Sequence, residues 1–339
     1  RTPGRKPARV QRARARFRRE VQLAARIDSA FVARVHDSGE LPDGGLYFAM
    51  ERVIGTTLDR VLLTEGRLAP ARVLRLGHQL GQALGVVHAL GLVHRDVKPG
   101  NIMVIKGPDG RESLKLVDFG IARAFEVDVQ MGRAALTNLT VAGTLIGSFA
   151  YMAPEQITGQ GSGKRGNVGP WSDVYAAGIT LYELLTGNLP YGGPTAPAFA
   201  YQHQSAPIPS ALKALGEPED LALGGLDRLL QRMLAKDPAE RFQDGAALAS
   251  AIVEVERRIS LAPTDRVAGT YAATSAAYGP DDTPPEDVPA GEEAARVDPG
   301  TIRGISSGDV LARAATTTSE VRAPRGLSAG RLAFGFACI

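Results

Sequence analysis

Two stripes of apolar residues at helical spacing constrain this chain more than any other feature. Val73, Leu76, Gly77, Leu80, Ala83, Leu84 and Val87 recur on one face of a predicted helix that opens at Pro70 and ends near Gly91. Val174, Ala177, Gly178, Leu181, Leu184 and Leu185 form a second stripe, closed by Gly187, a residue type favoured just past a helix end. Between them lie two β-rich runs, Ile102 to Ile105 and Leu114 to Val117, whose separation by Gly107-Pro108-Asp109-Gly110 predicts a hairpin. Strand candidates at Val32 to His36 and Leu46 to Glu51 flank the turn-prone Pro42-Asp43-Gly44-Gly45. Phe17, Val21, Ala24 and Ile27 share a face of an earlier helix, and further helices are expected over 226–236 and 244–259. A few strands followed by mostly helix predict an α+β fold with a helix-dominated main body.

Composition narrows the function classes. One cysteine, Cys338, cannot close an internal disulfide, which fits a reducing compartment. Five scattered histidines supply no zinc-type cluster. The net charge of +3 hides an asymmetry: residues 1–26 carry ten basic side chains against Glu20 alone, leaving the remainder at −6. Such an arm suits an acidic surface or nucleic acid. It has no interleaved aromatics for base stacking, so a solvated basic helix is the plainer reading, residues 1–15 are set apart as a basic N-terminal segment, and no specific nucleic-acid partner is expected. Residues 263–330 hold seven prolines, many small and acidic residues and no apolar period. This composition predicts a disordered linker over 261–330. The apolar end, Leu332 to Ile339, is too short to cross about 30 Å of hydrocarbon.

Chemistry concentrates after the first long helix. His94-Arg95-Asp96-Val97-Lys98-Pro99-Gly100-Asn101 is followed by Asp118-Phe119-Gly120 and then by Ala153-Pro154-Glu155. Either tripeptide alone is a chance event, but the ordered set is not. A carboxylate, a nearby cation and two oxygen ligands from separate segments suit phosphoryl transfer assisted by a hard divalent ion. The sequence resembles the bacterial, eukaryotic-like serine/threonine protein kinases, over roughly residues 16–258.

That resemblance implies a two-lobe kinase fold with a partial small lobe over 16–53 and a large lobe over 54–260. Asp96 is expected to orient the acceptor hydroxyl and accept its proton, with Lys98 near the γ-phosphate. Asn101 and Asp118 would hold Mg²⁺ or Mn²⁺. ATP would lie against Leu46 to Val53, with Met50 as gatekeeper, the Glu51 carbonyl and Val53 amide bonding adenine, and Met103 beneath the base. Arg95 implies an activation loop switched by phosphate, for which Thr137, Thr140 and Thr144 are candidates. Ser148 stands in the segment that docks substrate. Glu155 and Arg241 are expected to form a structural ion pair, and Asp173 to tie down the catalytic segment. The Gly-rich stretch from Gly159 to Gly169 reads as a surface loop.

The match departs from the family at its start. No G-x-G-x-x-G-x-V loop or V-A-x-K strand precedes the first helix. Glu20 matches the helix glutamate that pairs with the strand lysine, yet the matching position holds Arg1, and Lys6 sits in a Pro- and Gly-broken stretch. The expectation is therefore a truncated kinase domain whose Glu20 lacks its partner, the alternative being a pseudokinase that serves as a binding or scaffold module. Expected partners are proteins with Ser/Thr acceptors and a second copy of the chain for autophosphorylation in trans. The kinase domain is expected to be cytoplasmic. It would be membrane-anchored in the full-length protein if Leu332 to Ile339 begins a transmembrane helix.

Overall fold

A computed structural model of the chain describes residues 8–42, 45–120, 149–158, 168–193, 195–216 and 223–260. The expected linker and apolar end, Arg1, Lys6, Thr137, Thr140, Thr144, Ser148 and most of the Gly159–Gly169 stretch lie outside the described residues.

The first helix, α1, spans Ala8–Ala24 and starts earlier than the apolar period from Phe17 suggests. Its first turns are rich in alanine and arginine, both strong helix formers, so the helix runs back into the segment expected to be a separate basic arm. Ala13 and Phe17 are buried, and Arg14 is buried against Glu40. Two antiparallel strands follow, β1 (Val35–Glu40) and β2 (Leu46–Met50), with Glu40 opposite Leu46 and a bulge between Val35 and Asp37. The expected strand at Val32 to His36 divides. Its first part bridges to the hairpin strand through Ala33 N–H donating to the Leu116 carbonyl at 2.9 Å, and its second part opens β1.

A three-stranded antiparallel sheet combines β3 (Thr56–Thr57), β4 (Ile102–Lys106) and β5 (Glu112–Leu116), in that order. The α2 helix (Leu58–Glu65) leads directly from β3 and buries Leu58 and Val61. In α3 (Pro70–Ala89) the predicted stripe is buried along its length, from Val73 to Val87. Gly91, at φ +72°, turns the chain out of that helix where a side chain would be strained.

Among the described residues the remaining α-helices are α4 (Pro154–Thr158), α5 (Pro170–Thr186), α6 (Ala196–Ser205), α7 (Ala211–Leu215), α8 (Gly224–Met233) and α9 (Gly245–Ser260). Every residue of α5 from Ser172 to Thr186 is buried, so it is the central post of the helical body. Gly187 at φ +74° ends it. At Gly178 an added Cβ would meet Met233 Cβ at 2.9 Å, which shows how closely α8 crosses the post. Among the described residues no helix is long and apolar enough to cross a membrane.

Candidate active site

The segment expected to be catalytic, His94 to Asn101, hangs between α3 and β4. Its geometry starts from Asp173, in the first turn of α5 and almost fully buried. The His94 amide donates to Asp173 Oδ2 and the Arg95 amide to Oδ1, each at 2.7 Å. Bonds to a buried carboxylate are among the strong ones, and here they hold Arg95 at φ +67°. A non-glycine residue in that region costs roughly 1–3 kcal/mol, which neighbouring contacts must over-determine.

One residue on, the sequence-predicted groups meet. Lys98 Nζ donates to Asp96 Oδ2 at 2.8 Å, and Asn101 Nδ2 donates to the same oxygen at 2.9 Å. Asn101 Nδ2 also reaches the Asp96 carbonyl at 2.8 Å. Pro99 starts a single 3₁₀ turn over Pro99–Asn101 that swings Asn101 back toward Asp96. With Nδ2 committed to Asp96, the amide oxygen of Asn101 is the atom suited to a cation.

Asp118 follows β5 and is brought alongside by backbone bonds. The Val117 amide donates to the Asn101 carbonyl at 2.9 Å, the Gly120 amide to the His94 carbonyl at 2.9 Å, and His94 Nε2 to the Val117 carbonyl at 3.1 Å. Phe119 packs its ring 5.2 Å from that of His94. Burial pushes the Asp118 carboxyl above its usual range, against the opposing pull of His94 and Lys98. It too sits at positive φ, +55°. A strained, partly desolvated carboxylate and an amide oxygen on joined segments are hard oxygen donors that fit Mg²⁺ or Mn²⁺, which take few protein ligands and complete their shell from phosphates. Among the described residues no group of three or more His, Cys, Asp or Glu makes a self-sufficient metal cage.

The residues expected to face the nucleotide lie on or beside the two hairpins. Met50 ends β2, and Met103 lies on β4 opposite Lys115 and Thr57. Glu51 joins the hairpins: its carboxylate accepts from Lys115 Nζ at 2.5 Å and from the Arg34 amide at 3.1 Å, and its own amide donates to the Arg34 carbonyl at 2.7 Å. Among the described residues, neither the Glu51 carbonyl nor the Val53 amide is committed to another backbone group.

Glu20 departs from expectation. It has partners: its Oε1 accepts from Arg16 Nε at 3.0 Å, one turn earlier on α1, and lies 3.5 Å from Arg95 Nη1. Among the described residues no strand lysine lies beside the carboxylate, which is met by these two guanidinium groups. Arg95 is thereby engaged with a carboxylate.

Glu155, in the first turn of α4, and Arg241 form a bidentate pair with N–O distances of 2.8 and 3.1 Å, both side chains essentially inaccessible. Ser172 Oγ donates to Glu155, and Arg241 also donates to the carbonyls of Ala235, Trp171 and Lys236. The guanidinium lies 4.7 Å from the centre of the Tyr175 ring.

Sequence reasoning missed three supporting residues. Gln156 Nε2 donates to the Arg95 carbonyl at 3.1 Å. Tyr151 donates to Glu183 at 2.6 Å. His88 Nε2 lies 2.9 Å from Asp173 Oδ2. His88 carried a usable signal, a lone imidazole one turn beyond Leu84 on the apolar face of α3.

Comparison with known proteins gives a consistent picture. Residues 5–253 match the family model described as a protein kinase domain. The serine/threonine-protein kinase PknB of Mycolicibacterium smegmatis is 38% identical over 245 residues, covering 71% of this chain and 36% of that protein. The serine/threonine-protein kinase pkn3 of Myxococcus xanthus is 36% identical over 256 residues, covering 75% of this chain and 44% of the relative. The chain thus spans less than half the length of these curated relatives. The crystal structure of the Mycobacterium tuberculosis PknI kinase domain is similar with a TM-score of 0.50 at 27% identity, covering 74% of this chain and 82% of that one. The crystal structure of Rad53 in complex with AMP-PNP is similar in fold, with a TM-score of 0.53 at 24% identity over 70% of this chain and 54% of that one.

Proposed function

The chain belongs to the protein kinase domain family, and from that premise we propose that it is the catalytic domain of a bacterial serine/threonine kinase, transferring the γ-phosphoryl group of ATP to Ser and Thr hydroxyls of proteins. The observation that carries this reading is the convergence of Lys98 and Asn101 on one oxygen of Asp96. Phosphoryl transfer asks little covalent chemistry of the protein and much positioning. Asp96 orients the incoming hydroxyl and takes its proton, while two donors steady the carboxylate that does so. Lys98, shared between Asp96 and the transferred group, offsets negative charge as it develops. The Glu51 carbonyl and Val53 amide receive the adenine edge, with Met103 beneath it. Asn101 and Asp118 would hold Mg²⁺ or Mn²⁺, which would supply neutralisation of phosphate-oxygen charge when bound.

The names of the relatives support Ser/Thr over Tyr acceptors. Two copies meet for autophosphorylation, and a phosphate on Thr137, Thr140 or Thr144 competes with Glu20 for Arg95. A scaffold role without catalysis draws no support from a site whose acid, cation and oxygen ligands are all present.

The test is transfer itself. The full-length protein is incubated with γ-labelled ATP, Mg²⁺ and peptides offering Ser, Thr and Tyr. Phosphoserine or phosphothreonine should be recovered and phosphotyrosine should not. Label on tyrosine, or nucleotide binding with no transfer, would overturn the proposal.

A further inference from the structure

The last turn of α6 carries an imidazole that the phosphoryl-transfer geometry does not use. His203 is fully buried, and its surroundings hold it in place. The Tyr175 hydroxyl, from α5, lies 2.9 Å from His203 Nδ1. The Tyr191 ring meets the imidazole edge-on, with ring centres 5.0 Å apart. The preceding Gln202 is tied down twice: its carbonyl accepts from Lys236 Nζ at 3.2 Å, and its side-chain oxygen from the Gly192 amide at 3.0 Å. Lys236 Nζ also donates to the Tyr191 hydroxyl at 2.8 Å, which cross-links the cage around the ring. In so close a packing the imidazole has one orientation.

The surroundings also decide where the ring's proton sits. Burial and the Lys236 ammonium keep the imidazole uncharged, so it carries a single N–H. With Nδ1 taken by Tyr175, the nitrogen turned toward the Ala150 backbone is Nε2. That backbone favours the protonated ring, which a carbonyl does and an amide N–H does not. The proton therefore resides on Nε2, and Nδ1 accepts from the Tyr175 O–H.

Ala150 lies in the segment expected to dock substrate, two residues after Ser148. Its neighbour Tyr151 is fixed to α5 by donation to Glu183 at 2.6 Å, and the Met152 amide closes a turn onto the Phe149 carbonyl at 3.2 Å. Yet His203 Nε2 is sealed from solvent without a hydrogen bond of ordinary geometry among the described residues. A buried donor held just short of its acceptor is costly, and a small shift of the segment toward α6 removes that cost. Hydrogen bonds around a reaction site commonly tighten once substrate is bound.

We infer that His203 is a positioning residue for the protein substrate: its Nε2–H bonds the Ala150 carbonyl when substrate is bound and sets the docking segment against α5. The inference deepens the kinase reading and rests on it for the identity of the substrate. Because His203 is remote from Asp96 in the chain and bonds no group of the transfer site, its effect falls on peptide binding, not on the chemical step.

Two measurements on the full-length protein test this. The chain has five histidines, few enough for histidine-selective nitrogen labelling to resolve each ring. The long-range proton–nitrogen spectrum should show His203 as the Nε2–H tautomer with Nδ1 as acceptor. Adding a Ser/Thr peptide with Mg²⁺ and a non-hydrolysable ATP analogue should move the Nε2 proton downfield as its bond shortens. A proton on Nδ1, or an Nε2 signal that the peptide leaves in place, would overturn the inference.

The second measurement compares two substitutions. His203→Phe keeps the ring volume without a donor, and His203→Gln keeps an N–H near the Nε2 position. With rates normalised to the folded fraction, His203→Phe should raise the peptide KM about tenfold while kcat and the ATP KM stay within about threefold of the parent. His203→Gln should keep all three within about threefold. The Met152 amide should exchange faster, relative to amides of α5, in His203→Phe but not in His203→Gln. Equal rises in peptide KM in both variants, or a loss confined to kcat or to melting temperature, would make His203 an ordinary core residue. Absence of transfer by the parent protein would overturn the kinase reading and the substrate role with it, whereas a wrong tautomer or a parental peptide KM in His203→Phe would overturn the His203 inference alone.

Discussion

At the scale of single residues, Glu155 and Arg241 show what a buried charge demands. Every carboxylate oxygen and every guanidinium arm in that pair has a partner, so neither charge is left to the protein interior. Removing one partner strands the other, and Glu155→Ala or Arg241→Ala should each cost about 3–5 kcal/mol in urea unfolding. The double substitution should cost clearly less than the two singles added together, and additive losses would show that the pair is not coupled. Arg95 carries a second prediction. Intact-mass analysis of active protein should find phosphate on Thr137, Thr140 or Thr144. Replacing all three with alanine should remove the gain in activity that phosphorylation brings, and full activity in the triple variant would discard the switch. Asp96, Lys98, Asn101 and Asp118 were legible because their chemistry is packed into short segments at characteristic spacing. The approach of Arg95 to Glu20 was not, because Arg95 lies far along the chain and only the fold brings the two together. His88 stands out as an imidazole on an apolar helix face, but its pairing could not be read from that, because its partner Asp173 is 85 residues away.

Among the elements, α3, α5 and the β4–β5 hairpin stood out in the sequence because each buries a continuous apolar face or pairs across a turn with its own chemistry. β1 was displaced because His36, Asp37, Ser38 and Glu40 face outward and carry no apolar alternation; pairing with β2 defines it instead. α6 and α7 went unread, although both have side-chain caps: Thr195 Oγ accepts from the Ala198 amide at 3.3 Å and Ser210 Oγ from the Lys213 amide at 3.3 Å. α6 also holds a pH-sensitive element. His203 is buried, with Nδ1 2.9 Å from the Tyr175 hydroxyl, and burial, aided by the nearby Lys236 ammonium, pushes its pKa down to about 3. The unfolded chain takes up a proton near pH 6.5 that the folded protein refuses until about pH 3. Below pH 6.5 the unfolded state therefore binds more protons, and stability falls as pH falls. The histidine contributes a slope of up to about 1.4 kcal/mol per pH unit. Urea titrations at pH 6.5, 5.5 and 4.5 should show a steeper decline for the parent than for His203→Gln. Parallel declines would mean that His203 is not held uncharged in the folded protein.

For the molecule as a whole, α5 is the post on which the chemistry is hung. Its first turn supplies Asp173 to the catalytic segment, Ser172 reaches Glu155, and Tyr175 underlies Arg241. The helical body was legible from periodicity and the family from ordered motifs. The resemblance also pointed to Asp173 as the tie on the catalytic segment; what the sequence could not give is the rest of the tertiary wiring, in which Glu20 meets Arg95 and Gly245 reaches His88. That wiring has one purpose in this account: to present the Asp96 carboxylate, with Lys98 and Asn101 on it, to a substrate hydroxyl. The most direct measurement is γ-phosphoryl transfer by Asp96→Asn in the full-length protein, made beside a Mg·ATP binding titration. Asparagine keeps the shape and the oxygen but cannot take the proton. Transfer should fall by about two to four orders of magnitude while ATP affinity stays within roughly threefold of the parent. Transfer at the parental rate, or a loss of ATP binding that matches the loss of transfer, would contradict the assignment of Asp96 and with it the mechanism.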